Sequence, residues 1–196
     1  MEYIYNEFPE EYERIKELKK KDVQRMFDWY VSQSETRIDI LKQYVNQDSQ
    51  VPIDFDYTPE SLIPLWTWFE PKIRKQRKKY RDILRERKEQ PKWMREYIPR
   101  EEFTLETLNL IWDIAYYFAE VMLRNNKTIK WGFFMASPRV DSAKAPVLMG
   151  FVGGSLNPQR IVYVCTLKSY ECSNPRVLYE TYKVWLEYIE EGKEGC

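Results

Sequence analysis

The 196-residue chain contains no histidine. Ser-His-Asp and Cys-His catalysis both need an imidazole base, so both are excluded, as is zinc held by histidine. Cysteine is nearly as scarce, with only Cys165, Cys172 and Cys196. Three thiols cannot complete a Cys₄ site, and an odd count without regular spacing is not the framework of a disulfide-stapled secreted domain. Cys165 reads as a core residue alternating within a strand, Cys172 as a loop thiol near Lys168 and Arg176, and Cys196 as a tail thiol. Without a histidine base, none reads as a nucleophile. Glycine numbers only 6. The one cluster, Gly150-Phe151-Val152-Gly153-Gly154-Ser155, lacks the GKS/T ending of a phosphate loop and no helix is expected after it, so it reads as a turn following a strand. No apolar run approaches ~18 residues, which excludes a membrane-spanning helix pattern. The N-terminus, MEYIYNEFPEEYERIKELKKK, is acidic first and has no apolar h-region, so it does not read as a signal peptide. The cytoplasm is the expected location, and no metal or cofactor is expected.

What the chain does have is aromatic residues and charge. It carries 7 Trp, 15 Tyr and 9 Phe and is 43% hydrophobic, enough for a sizeable core. Its 31 basic and 31 acidic residues cancel, so net charge selects no partner and only the distribution is informative. No repeat or low-complexity linker divides it. Residues 1–196 read as a single domain, with 1–20 as a peripheral N-terminal segment.

The pattern predicts an α+β fold, mainly helical through the first two-thirds. Val23, Met26, Phe27, Tyr30, Val31, Ile38, Leu41, Tyr44 and Val45 predict one long amphipathic helix over 21–46. Residues 47–57 read as a loop. Thr58-Pro59-Glu60 opens a helix that Pro64 and Pro71 kink or divide. Residues 72–89 predict a helix with a thin apolar stripe, ending before Pro91, and 91–102 read as irregular. Thr104 caps a helix over 105–124 that is apolar nearly all round, the mark of a central buried helix. Phe103 and Leu108 sit where a hydrophobic staple would close over that cap. Ile129–Met135, Pro146–Val152 and Arg160–Leu167 predict a three-stranded antiparallel meander, its first two strands flanking a loop with Pro138 and Asp141. Pro175 opens a last helix, with Val177, Leu178, Val184, Trp185 and Ile189 facing inward. The tail from Gly192 reads as frayed.

Two constellations stand out as sites. From Lys72 to Lys88 ten cations, among them Arg74, Lys75, Arg77, Lys78, Lys79, Arg81 and Arg85, are opposed only by Asp82 and Glu86, an excess of eight. A helix so charged would attract an acidic protein or nucleic acid phosphates. Alternatively it is a solvated face, offset by the acidic N-terminus. Tyr80 is the one aromatic among these cations, a poor start for stacking single-stranded nucleic acid. The second constellation is a polar stripe on the central helix: Asp113, Tyr117, Glu120 and Arg124, spaced i, i+4, i+7, i+11. Facing a cleft, Asp113 and Glu120 would serve as paired carboxylates or hold Mg²⁺, although no further acid-lysine arrangement appears on the strands that follow. Otherwise the stripe meets solvent, or its acids are buried and paired with Arg124 and other cations. Of the tryptophans, Trp66, Trp68, Trp112, Trp131 and Trp185 read as core, and Trp29 and Trp93 as surface anchors.

Three stretches in order, TPESLIPLWTWFEP (58–71), WDIAYYFAEVMLRNNKTIKWGFF (112–134) and APVLMGFVGGSLNPQRIVYVCTL (145–167), resemble a group of small uncharacterised proteins of low-GC Gram-positive bacteria. Some of that group look like immunity-type genes in toxin or phage neighbourhoods. The resemblance implies an interaction role and carries no active-site residue over to this chain. The expectation is therefore a non-enzymatic binding protein that neutralises or regulates a protein partner with an acidic surface. The alternatives are a nucleic-acid-binding protein using 72–88 and a carboxylate-dependent metal enzyme using Asp113 and Glu120.

Overall fold

A computed structural model describes residues 3–9, 12, 15–135 and 143–189. Among the described residues, seven α-helices and five short strands follow in order: α1 Lys20–Ser32, α2 Ser34–Asp48, α3 Leu62–Phe69, β1 Lys75–Arg77, α4 Tyr80–Glu89, β2 Glu101–Phe103, α5 Leu105–Asn125, β3 Lys130–Gly132, β4 Val147–Phe151, β5 Gly154–Leu156, α6 Pro158–Glu171 and α7 Val177–Leu186. The fold is α+β. β3, β4 and β5 make the antiparallel three-stranded sheet, and β1 pairs with β2 in a separate two-stranded ribbon.

The centre is α5, as its sequence predicts. Thr104 Oγ1 accepts from the Thr107 N–H and caps the helix. Leu110, Ile111, Ile114, Ala115, Phe118, Val121 and Met122 are buried around its circumference, and α2 and α6 pack on its sides. The expected helix over 21–46 is two. It breaks at Gln33, inside the polar run Ser32-Gln33-Ser34, where the Ser32 hydroxyl turns back to the Trp29 carbonyl at 2.7 Å. The break gives each half its own inward face: Val23, Met26 and Tyr30 on α1, and Ile38, Leu41 and Val45 on α2. The Thr58-Pro59 start holds, as a 3₁₀ turn at Pro59–Ser61 that leads into α3. Pro64 falls in the first turn of α3, where a missing N–H costs no helical bond, and does not divide it, whereas the helix gives way at Glu70–Lys72 beside Pro71.

Arg160–Leu167 is not a strand. Asn157 caps, its Oδ1 accepting from the Arg160 N–H at 3.1 Å, and Pro158 takes the first helical position. Val162, Cys165, Thr166 and Ser169 then face inward at helical spacing, while Tyr163 and Val164 stay outside. Packing on α5 overrides the β-propensity of these residues. The third strand is Gly154–Leu156, so the expected turn at 150–155 is tighter than foreseen, and a helix does follow it. Gly153 has φ 75° at the turn, and Gly150 has φ 112° at an irregularity in the β4–β5 pairing. Val184, expected inside, is 52% exposed, because α7 lays Val177, Leu178 and Tyr182 on the core instead. Pro138, Asp141 and the tail from Gly192 lie outside the described residues.

The described residues of the N-terminal segment are tied to the core at several points. Tyr3 is buried and reaches α5, and Phe8 packs on Trp112 at 4.2 Å between ring centroids. Local pattern does not report this, because the partners lie about a hundred positions away. Among the described residues no helix is long and apolar enough to cross a membrane.

Candidate functional site

The basic segment is not one helix. The chain from Arg74 to Lys79 is extended, and β1 pairs antiparallel with β2 in the register Lys75–Phe103, Gln76–Glu102, Arg77–Glu101. The pairing continues beyond the strands, where the Lys78 N–H donates to the Arg100 carbonyl at 2.9 Å and the Thr104 N–H to the Arg74 carbonyl at 3.0 Å. Inter-strand bonds satisfy this backbone without forcing closely spaced like charges onto one helical turn. The helix begins only at Tyr80 and ends at Glu89, since Gln90 precedes Pro91 and takes ψ 146°. A 3₁₀ stretch, Lys92–Tyr97, carries the chain back to β2.

The product is an arm standing on the β1–β2 ribbon. From Arg74 to Glu102 no residue is buried, whereas Ile73 and Phe103 at its root are. The arm holds twelve Lys and Arg against six Asp and Glu. It also exposes large aromatics: Tyr80 and Trp93 at 73% and Tyr97 at 79%. Trp93 is thus the surface residue foreseen. Trp29 is half-buried and packs on Phe8 and Tyr12.

The seven cations expected to bind a partner divide. Arg74 turns to its own backbone, donating to the Pro71 and Ile73 carbonyls at 2.7 and 2.9 Å. Lys75 places its ammonium 4.1 Å from the Tyr170 ring centroid. Lys78 is held by both Glu86 oxygens at 2.7 Å. Arg85 lies 3.4 Å and Arg81 3.8 Å from Asp82, both well exposed. Arg77 and Lys79 have no ion-pair partner among the described residues. Residues beyond the original seven complete the site. Two cavities, of about 430 and 480 Å³, adjoin at Arg87 and Glu96. The first is lined by Arg77, Lys78 and Arg100, with Tyr80, Ile83 and Ile98 between them. Lys88, Lys92 and Arg95 line the second, with Leu84. Arg87 was inside the basic run. Arg100 falls beyond it in sequence, and only the ribbon returns it to Arg77.

The polar stripe of α5 does not form one site. Asp113 is fully buried and held by Arg37, which donates from Nε to Oδ1 at 2.9 Å and from Nη2 to Oδ2 at 2.6 Å. Asn6 donates to Oδ1 at 3.0 Å and the Tyr3 hydroxyl to Oδ2. Burial pushes the Asp113 carboxyl above its ordinary range, against the pull of Arg37. The remaining Arg37 N–H groups reach the Ile4 and Tyr5 carbonyls at 2.8 and 3.5 Å, so this cluster ties residues 3–6 to the core. Arg37 was missed in the sequence, although it falls on the α2 face that carries Ser34 and Leu41. Tyr117 sits against Ser61 Oγ at 2.6 Å, and burial pushes its hydroxyl up to about 12. Glu120 pairs with Arg124 at 3.3 Å, and Arg124 stacks 3.5 Å from the Tyr57 ring centroid. Asp113 is thus a buried acid paired with a cation, Arg37, whereas Glu120 is only half-buried. Both carboxylates are engaged, and in different places.

Two of the three thiols, Cys165 and Cys172, are among the described residues. Cys165 is buried beside Thr181 Oγ1 at 3.4 Å, and burial pushes its thiol up. Cys172 is exposed at the end of α6. Among the described residues no group of three or more acidic or thiol side chains stands close enough to hold a metal ion. Compared with protein-family models, curated proteins and solved structures, the chain matches none.

Proposed function

We propose that this chain is a non-enzymatic binding protein that neutralises or regulates a protein partner, in the manner of an immunity or anti-defence factor, and that the arm from Arg74 to Glu102 is its contact surface. One observation carries the reading: within a stretch that buries no residue, Tyr80, Trp93 and Tyr97 stand exposed among twelve cations. Leaving Trp and Tyr in water gains nothing for folding, and Trp, Tyr and Arg are the residues that dominate binding energy at protein interfaces. The surrounding charge would steer an acidic partner and raise its association rate. Capture from the native host, comparing the wild type with W93A/Y97A, tests the reading. Loss of about 2 kcal/mol or more at each aromatic would weaken binding by roughly thirtyfold or more per residue and remove the captured protein. Equal recovery by wild type and variant would refute the arm as the contact surface.

A specific feature favours nucleic acid as the second reading. The fold adds Trp93 and Tyr97 to Tyr80 beside the cations, which is the composition of a single-strand stacking surface. Anisotropy with generic DNA and RNA at ~50 mM salt, where the counterion contribution is large, separates the two.

A further inference from the structure

The two arm cavities share Arg87 and Glu96 in their linings, so they lie side by side in the groove between α4 and residues 92–100. Its cations come from β1, α4, the 3₁₀ stretch and the approach to β2. Arg77, Arg87 and Arg100 make no ion pair among the described residues, and Glu96 is the one acid in the lining. Unneutralised guanidiniums around a concave surface favour an anionic ligand and donate to carboxylate or phosphate oxygens in pairs. The apolar walls decide between polymers. They are Ile83, Ile98 and Leu84, with Tyr80 at one end, while Trp93 and Tyr97 line neither cavity. Branched aliphatic walls pack against aliphatic side chains and offer a nucleobase little to stack on. At about 430 and 480 Å³, each cavity alone has the size of a small-ligand site, and together they suit a chain segment.

We propose that this groove receives an extended acidic segment of the partner protein, its carboxylates on Arg77, Arg87 and Arg100 and its aliphatic side chains between Ile83, Ile98 and Leu84. The inference rests on the reading of the arm as a protein-binding surface and names what it recognises.

Anisotropy with a fluorescein-labelled repeating Glu-Glu-Leu peptide tests it, with polyglutamate of equal charge and labelled oligo-dT as controls. The informative pair of variants is R87E and R81E. Both reverse one charge on an exposed face of α4, but Arg87 lines both cavities and Arg81 lines neither. Circular dichroism checks that each keeps its fold. The expected result is that Glu-Glu-Leu binds more tightly than polyglutamate or oligo-dT. R87E should then weaken it on the order of tenfold or more, and R81E about twofold or less. Equal effects of the two variants, equal affinity for polyglutamate, tighter binding of oligo-dT, or no peptide binding at ~50 mM salt would each overturn the proposal. If capture of a host protein still depends on Trp93 and Tyr97 while the peptide fails, the groove assignment falls and the arm reading stands. If capture is independent of the arm, the arm reading itself falls.

Discussion

The Arg37–Asp113 pair offers a prediction whose two halves behave differently with pH. Asp113 is fully buried and Arg37 is 5% exposed. Replacing Asp113 by Asn keeps the shape but leaves a guanidinium in the interior without a counter-ion. Arginine cannot release its proton to escape. Breaking a buried pair in this way costs about 3–5 kcal/mol, which for a chain of this length lowers Tm by roughly 6–20 °C. That loss should not grow with pH, because wild-type Asp113, itself held above its unfolded value, gives up some stability as pH rises and the gap can only narrow. The reverse change, Arg37→Met, leaves a buried carboxyl, which can neutralise itself by holding a proton. Burial already pushes Asp113 up, and removing Arg37 frees that push from its opposition. A carboxyl whose folded pKa lies above its unfolded value near 4 binds the proton more tightly when folded. The folded state is then favoured at low pH and loses stability as pH rises towards the folded value. The Tm gap between wild type and R37M should accordingly widen from pH ~5 to ~8, while the gap for D113N does not widen. Thermal melts by circular dichroism across that range read both. In R37M/D113L, with neither charge left, the loss should fall well short of the two single losses added. D113N within about 1 kcal/mol of wild type, or an R37M gap that does not move with pH, would refute the reasoning.

Two further outcomes test the sheet and the surface. A Cβ at Gly150 would lie 2.5 Å from the Thr128 carbonyl oxygen, at φ 112°, whereas one at Gly153 meets nothing within 4 Å at φ 75°. In urea titrations Gly150→Ala should therefore cost more than the ~1–3 kcal/mol of strain that Gly153→Ala carries alone, and equal losses would contradict the geometry. At Asp48, Lys72 Nζ at 2.6 Å and Trp68 Nε1 at 2.9 Å hold the carboxyl below its ordinary value. Its stabilisation, discounted for exposure to about 1 kcal/mol or less, is present above pH ~4 and fades as pH falls below it. The Tm difference between wild type and D48N should shrink over that descent, and a difference that grows on acidification would contradict the assignment.

What the sequence determined by itself was whatever neighbouring residues decide. Thr104 and the apolar circumference that follows specify α5 because a cap and a buried helix are properties of one continuous stretch. Thr58-Pro59 marks a helical start in the same way, and the absence of histidine removes imidazole chemistry whatever the fold. Asn157-Pro158, the cap and first residue of α6, is an equally local signal, masked by the β-branched run that follows it. Only the tertiary structure decided the rest. β1 exists because Glu101–Phe103 lies beside it, and no periodicity within 72–88 reports a partner some twenty-five residues away. The same pairing brings Arg100 to Arg77, and the return stretch adds Trp93 and Tyr97 to the cations. Arg37 meets Asp113 across 76 positions of sequence, and a buried charge finds its counter-ion through space, where chain order gives no guide.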